Sequence, residues 1–367
     1  MKINKSLTPF LTGVACLAAS QIHAVTIDYV PVGNPGNAPD QTYSSNGGSF
    51  AAGAVSYNYA IGTYEVTNAQ YTEFLNTVDP TGANLLSLYD PAMATDPQAG
   101  IAFNSGAANG AKFEIKPGYA NKPVVIVGFM DAMRLTNWLG NGQGSGDTET
   151  GAYTLSLGVL APRNPGATVW IPSENEWYKA AYHQPAAQGG GTNAVSFSDQ
   201  PPGATPDNTN VGNFYRNDGL ANGYNDGYAV TGSTTIDGAL NYFTGVGAYT
   251  QAHSFYGTFD QVGNAYEWNE SIFNGAREVR GDSAFFGEIV ARASFRDFSA
   301  SESGDDNIGF RVATVPEPST ALLLLGSGAL LLRRRRTRRA LSGGGQFLRS
   351  QPHTSSSPCK HHHLRDS

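Results

Sequence analysis

Apolar residues recur at helical spacing in three separate stretches of the chain. In YEVTNAQYTEFLNTV, Tyr71, Phe74, Leu75 and Val78 fall on one face. Thr67 followed by Gln70 has the form of a capping box, so the pattern predicts an amphipathic helix that starts just after Thr67. GFMDAMRLTNWLGNG puts Ala132, Leu135 and Leu139 on one face and closes on glycines, which predicts a second helix. PSENEWYKAAY repeats the capping pattern with Ser173 and Glu176 and carries Trp177, Ala180 and Ala181 as a buried stripe. The aromatic residues of these helices read as core. Short alternating pieces predict strands: VTIDYVPV and AVSYNYAI near the start, then REVRGDSAF, ARASFRDF and NIGFRVATV near the end. Residues 79–120 read as loop, and the Gly/Asn/Asp-rich stretch from Tyr182 to about 258 shows no helix. Strands and helices mixed in this way, with no internal repeat, predict one irregular α+β domain over residues 25–314.

Composition sharpens that reading. Only 14% of residues are charged while glycines number 44, a balance suited to turns and left-handed backbone rather than to a helical bundle. Charge is unevenly placed. Residues 25–316 hold 12 of the 23 Lys and Arg but 28 of the 30 Asp and Glu, a balance of about −16. A surface so acidic repels nucleic acid, which excludes that class of partner and suits cations. Both cysteines, Cys16 and Cys359, lie outside this body. The body therefore has no disulfide, no thiolate metal ligand and no cysteine nucleophile.

Both ends carry targeting patterns. Lys2 and Lys5, the apolar stretch Leu7 to Ala19 and the small Ala24 have the form of a secretory signal peptide over residues 1–24. At the other end, Pro316-Glu317-Pro318 precedes an apolar run over 321–332 and then Arg333 to Arg336. Arginines directly after an apolar run hold that end in the cytoplasm. The segment 315–339 resembles the PEP-CTERM sorting signal of Gram-negative bacteria. That resemblance implies transient residence in the inner membrane through 321–332, recognition and cleavage by an exosortase, and a final place at the cell surface or in the extracellular matrix, in association with polysaccharide and biofilm. Such signals usually end soon after the arginines, whereas residues 340–367 continue as a low-complexity tail read as disordered, with three consecutive histidines at 361–363.

Six pieces occur in order: YEVTNAQYTEFLN, PVVIVGFMDAMRLTNWL, WIPSENEWYKAAY, GTFDQVGNAYEWNE, VRGDSAF and NIGFRV. Together they resemble the formylglycine-generating enzyme/sulfatase-modifying factor family across nearly all of the body. The resemblance implies a single C-type-lectin-like α+β domain with little regular secondary structure. Active family members oxidise a substrate cysteine with copper held by two cysteines between the arginine-glycine motif and the final GFR. Here that interval reads RGDSAFFGEIVARASFRDFSASESGDDNIGFR and holds no cysteine, histidine or methionine. Thiolates are the soft ligands that select Cu(I), so no copper is expected.

The resemblance also implies two calcium sites, one on Asn210, Val211, Asp226 and Tyr228, the other on Asp260, Gly263, Ala265 and Glu267. Carboxylates, amides and carbonyls are the oxygen donors that Ca²⁺ takes; the alternative is that these residues only hydrogen-bond turns. Arg280-Gly281-Asp282 spells an integrin-type tripeptide but falls in the family's strand motif. His183 and His253 have no nucleophile at telling spacing, and Glu174 and Glu176 open a helix, where carboxylates favour the dipole. No phosphate-binding glycine loop is present. The expectation is an exported binding or structural module that holds a peptide or glycan. The alternative is a divergent formylglycine-generating-type oxidoreductase acting on a protein or small-molecule thiol.

Overall fold

The computed structural model of the chain describes residues 24–44, 48–185, 212–221, 225–287, 290–300 and 304–316. The chain divides into units Met1–Pro316 and Glu317–Ser367. Nearly all of the expected signal peptide, and the sorting segment beyond Pro316 with the tail, lie outside the described residues.

The elements run β1 (Tyr29–Val32), β2 (Asp40–Ser44), β3 (Gly48–Ala52), β4 (Tyr59–Gly62), α1 (Asn68–Val78), α2 (Ala92–Thr95), β5 (Ile101–Phe103), β6 (Phe113–Ile115) and α3 (Phe129–Gly140). They continue with β7 (Val169–Trp170), α4 (Glu174–Tyr182), β8 (Tyr215–Asn217), β9 (Asp226–Tyr228), β10 (Tyr266–Phe273), β11 (Ala276–Arg280), β12 (Asp297–Ser299), β13 (Ile308–Gly309) and β14 (Ala313–Thr314). One four-stranded sheet has the order β1-β4-β14-β7, so strands from the two ends of the domain lie side by side. The other has the order β12-β11-β10-β13, with β10 and β13 parallel. Three two-stranded hairpins, β2-β3, β5-β6 and β8-β9, stand apart from both.

The helices begin where their caps require. Thr67 Oγ1 accepts from Gln70 N (3.3 Å) while Gln70 Oε1 accepts from Thr67 N (2.9 Å). Ser173 and Glu176 close the same reciprocal pair at the start of α4. These bonds satisfy backbone donors that a helix N-terminus leaves open. Buried Tyr71, Phe74, Leu135 and Trp138 carry α1 and α3 into the main core, where Trp138 packs on Phe74 at 5.2 Å and Phe129 meets Trp268 edge-to-face at 5.9 Å. A smaller core joins Trp177, Tyr178 and Tyr182 of α4 to Phe214 and Val262.

Two expectations change, and one stretch expected to hold no helix gains a pair of strands. The stretch 79–120 holds α2 and the β5-β6 hairpin, whose three-residue strands are too short for periodicity to reveal. The 183–258 stretch contains the β8-β9 hairpin. NAYEWNE, read as a turn, runs directly into β10, the longest strand among those described.

Candidate functional site

The turn before β10 joins several distant segments. Asp260, Gly263 and Asn264 all have left-handed backbone (φ 58°, 84° and 62°). At Gly263 a side chain is barred twice, because a Cβ would also stand 2.5 Å from the carbonyl oxygen of Asn213. Asn264 is fully buried and its amide is used on both sides. Its Oδ1 accepts from Asn213 Nδ2 and Thr244 N (both 3.0 Å), and its Nδ2 donates to Glu65 Oε2 (3.1 Å). Ala265 N donates to Glu65 Oε1 (3.1 Å), and Gly263 N to the carbonyl of Gly281 at the end of β11 (2.7 Å).

Behind this turn lies a buried charge cluster. Glu267, fully buried, accepts from Arg311 Nε and Trp177 Nε1 on Oε2 (2.5 and 2.9 Å), and from Arg311 Nη2 on Oε1 (2.5 Å). Arg311 is fully buried too, and donates further to the carbonyls of Gly62 (2.9 Å) and Phe259 (2.8 Å). Glu65 and Asp260 share the neighbourhood, so three carboxylates face one guanidinium. Burial first, then the charges of Asp260 and Glu267, push the Glu65 carboxyl well above its ordinary range. Burial likewise raises Asp260, to about 6, opposed by its bond from Gly247 N (2.5 Å) and by Arg311.

The structure brings Asp260, Gly263, Ala265 and Glu267 together in this one turn and strand start. The other set is only partly placed. Asp226 and Tyr228 lie on β9 opposite Asn217 and Tyr215, while Asn210 and Val211 lie outside the described residues. Tyr228 packs on Tyr215 and Tyr242 (ring centroids 4.8 and 5.3 Å apart), and Tyr242 O accepts from Asn213 Nδ2 (2.8 Å), so this hairpin leans on the same turn.

The donor chemistry of both sets is oxygen-based, as calcium demands. At the second set, however, three of the four acceptor positions of Glu267 are taken by Arg311 and Trp177. A cation bound there would displace a guanidinium from its buried carboxylate, so this set fits Ca²⁺ poorly as it is arranged. Among the described residues no group of three or more His, Cys, Asp or Glu side chains is placed to hold a metal ion.

The residues that follow the arginine-glycine motif have their own geometry. Arg280 and Asp282 are buried, which removes the tripeptide from any surface recognition. Asp282 has φ 71°; its Oδ1 accepts from Ser283 N (2.6 Å) and its Oδ2 has no hydrogen-bond partner. Burial raises its carboxyl to about 8. Glu174 bonds Arg296 (2.9 Å), which also bonds fully buried Glu278 (2.7 Å). Glu176 bonds Arg163 through both oxygens (3.0 Å each). His183 Nδ1 sits 2.9 Å from Tyr256 Oη, and His253 Nδ1 lies 3.1 Å from the neighbouring Ser254 carbonyl. Sequence reasoning passed over Glu65, and it met Asp282 and Arg311 only as members of family motifs, with no role for either side chain. Arg311 is the arginine of the GFR ending, and no aspartate or glutamate stands beside it in sequence to show its partner.

An α+β domain with few helices, long connections and paired terminal strands has the C-type-lectin-like plan. The sequence profile of the sulfatase-modifying factor enzyme 1-like domain matches residues 32–315, and the chain belongs to that family. The PEP-CTERM protein-sorting motif matches residues 314–339, a signal that implies export with anchoring in transit. Among solved structures, the chain is similar to PvdO from Pseudomonas aeruginosa at 18% identity, covering 81% of this chain and 97% of that one, with a TM-score of 0.45. It is similar to CarF at 17% identity (80% and 100% covered, TM-score 0.44) and to Treponema denticola variable protein 1 at 16% (81% and 98%, TM-score 0.42). Comparison with curated proteins returned no match. No helix among the described residues is long and apolar enough to cross a membrane; the apolar run 321–332 lies outside them.

Proposed function

We propose that the protein is an exported, surface-associated binding module built on the sulfatase-modifying factor scaffold, without the copper oxidation of its active relatives. One observation carries this reading: the interval from Arg280 to Arg311 contains no cysteine, histidine or methionine, and both cysteines of the chain lie outside the domain. Copper(I) held by two thiolates has no substitute ligand there. The ligand is a peptide or a glycan, and sorting by an exosortase delivers the domain to the cell surface.

Calcium belongs to this proposal at the set of Asn210, Val211, Asp226 and Tyr228. At the Asp260–Glu267 turn the pairing with Arg311 favours a structural role. Metal analysis of the purified protein tests both points: calcium without stoichiometric copper is expected. The thiol of a sulfatase-type cysteine peptide should stay intact on incubation. Bound copper with oxygen consumption would overturn the proposal in favour of an oxidoreductase. Mass spectrometry of the chain recovered from cells should find no residues after Arg336 if an exosortase has acted.

A further inference from the structure

An open cleft of about 500 Å³ lies beside β7, at the edge of the sheet where the domain's terminal strands meet. That volume falls within the ~300–1,000 Å³ range of small-ligand sites. Tyr57, Asn58, Arg163, Asn164 and Trp170 line it. None of them belongs to the charge cluster behind the β10 turn.

The charged groups of its floor, one guanidinium and two carboxylates, are bonded to one another. Arg163 lies over the Trp170 ring at 4.6 Å and is held by Glu176 (3.0 Å) and Glu270 (3.0 Å). Glu176 also accepts from Tyr57 Oη (2.6 Å), Trp170 Nε1 (3.1 Å) and Ser173 N (2.7 Å). Glu270 Oε2 accepts from Tyr153 Oη (2.8 Å). What the cleft presents to a ligand is therefore the ring of Tyr57, 45% exposed, the side-chain amide of Asn58, and the amide oxygen of Asn164, whose Nδ2 already donates to the Gly151 carbonyl and Thr154 Oγ1 (3.0 Å each). The Tyr57 hydroxyl is tied to buried Glu176 and its ring packs edge-on against Tyr59 at 6.2 Å, so the exposed face is held in place before any ligand arrives. Such preorganisation lowers the entropy lost on binding.

We propose that this cleft binds a neutral glycan. A sugar ring offers an apolar C–H face for Tyr57 and hydroxyls that both donate to and accept from amides, which is the chemistry the cleft displays. Anionic polysaccharide is disfavoured, since Arg163 is already neutralised by two carboxylates and the body carries a balance of about −16. A cationic ligand finds no carboxylate without a partner. This inference rests on the binding-module reading and names the ligand class and its place.

Isothermal titration of the purified protein tests it, with cellohexaose, maltohexaose and mannohexaose as neutral probes, hexagalacturonate as anionic probe and a proline-rich peptide as the protein-like one. At least one neutral hexasaccharide should bind. Tyr57→Ala should weaken that binding ~10-fold or more, a loss of about 1.4 kcal/mol, whereas Tyr57→Phe, which keeps the ring, should stay within about threefold. Asn58→Ala alters an exposed side chain outside the core, so it provides a second reading in a folded protein and should also weaken binding. No neutral glycan bound, binding indifferent to Tyr57→Ala and Asn58→Ala, or preference for hexagalacturonate or the peptide would each overturn the proposal. Copper and thiol oxidation are read separately, so failure here is distinguishable from failure of the non-catalytic reading.

Discussion

Asp282 should make the domain less stable as pH rises, and Asp282→Asn should remove that loss. The carboxyl is fully buried, has one oxygen without a partner, and is raised from 3.8 to about 8 by desolvation. The folded state therefore keeps a proton that the unfolded chain releases. Stability from this group is complete below about pH 4, falls through the window up to about pH 8, and is level beyond it. At pH 7 the unfolded carboxyl lies about three pH units above its own titration, and each unit is worth roughly 1.4 kcal/mol, so the loss approaches ~4 kcal/mol. Asparagine suits the site: it tolerates the left-handed φ of 71°, and its carbonyl can keep the bond from Ser283 N. Its amide nitrogen replaces the unpaired oxygen and carries no charge. Urea denaturation of both proteins from pH 4 to pH 8 is the assay. The difference in unfolding free energy should grow with pH, to on the order of 2–4 kcal/mol at pH 7 in favour of the variant. Asp131, Asp260 and Glu278 titrate in both proteins, so the difference isolates position 282. A difference that stays flat across this range would refute the reasoning.

Arg311→Met should destabilise the domain by about 3–5 kcal/mol, because it leaves Glu267 buried and unpaired beside Glu65 and Asp260; pairing it with Glu267→Gln should recover part of the loss, and a single variant within ~1 kcal/mol of the parent in urea would count against the charge cluster. Gly263→Ala should lose at least ~2 kcal/mol, since φ is 84° and the added Cβ meets the Asn213 carbonyl at 2.5 Å; an unchanged urea midpoint would show that the turn relaxes freely. Arg277→Lys should lose about 2 kcal/mol although the charge is kept, because the guanidinium bonds the carbonyls of Val159, Ala161 and Glu270 together; proteolysis between 155 and 165 should quicken, and unchanged cleavage would contradict the claim.

Helices α1 and α4 were legible because each carries its own start signal within four residues, Thr67 with Gln70 and Ser173 with Glu176, and α3 because its apolar face closes on glycines. The β5-β6 hairpin was not, since IAF and FEI are too short to show alternation. β10 was hidden for another reason. A strand between two others is expected to be apolar on its buried faces, yet YEWNESIF buries Glu267 and Asn269. Glu267 therefore read naturally as a ligand in a turn. Its tolerance inside a sheet depends on partners far away in the chain, Arg311 being 44 residues on. Arg311 itself gives no local signal. The oxygen donors of the turn were recognisable from sequence; what could not be read was that a guanidinium already holds the glutamate.

That guanidinium belongs to a wider device. A loop-rich domain without a disulfide needs other means to fix segments that secondary structure does not join. Three buried arginines do so here by gathering backbone carbonyls. Arg277 joins the carbonyls of Val159 and Ala161 to that of Glu270, Arg280 holds the carbonyls of Ala293 and Phe295, and Arg311 ties Gly62 to Phe259. The planar fork of five donors suits this work, since one side chain can bond several oxygens in fixed directions. Burying such a charge is costly unless carboxylates and carbonyls answer it, so these clips also specify partners. Glu267 is one of them. Its place in the motif follows from holding Arg311, and through Arg311 the end of β4 is kept against the turn.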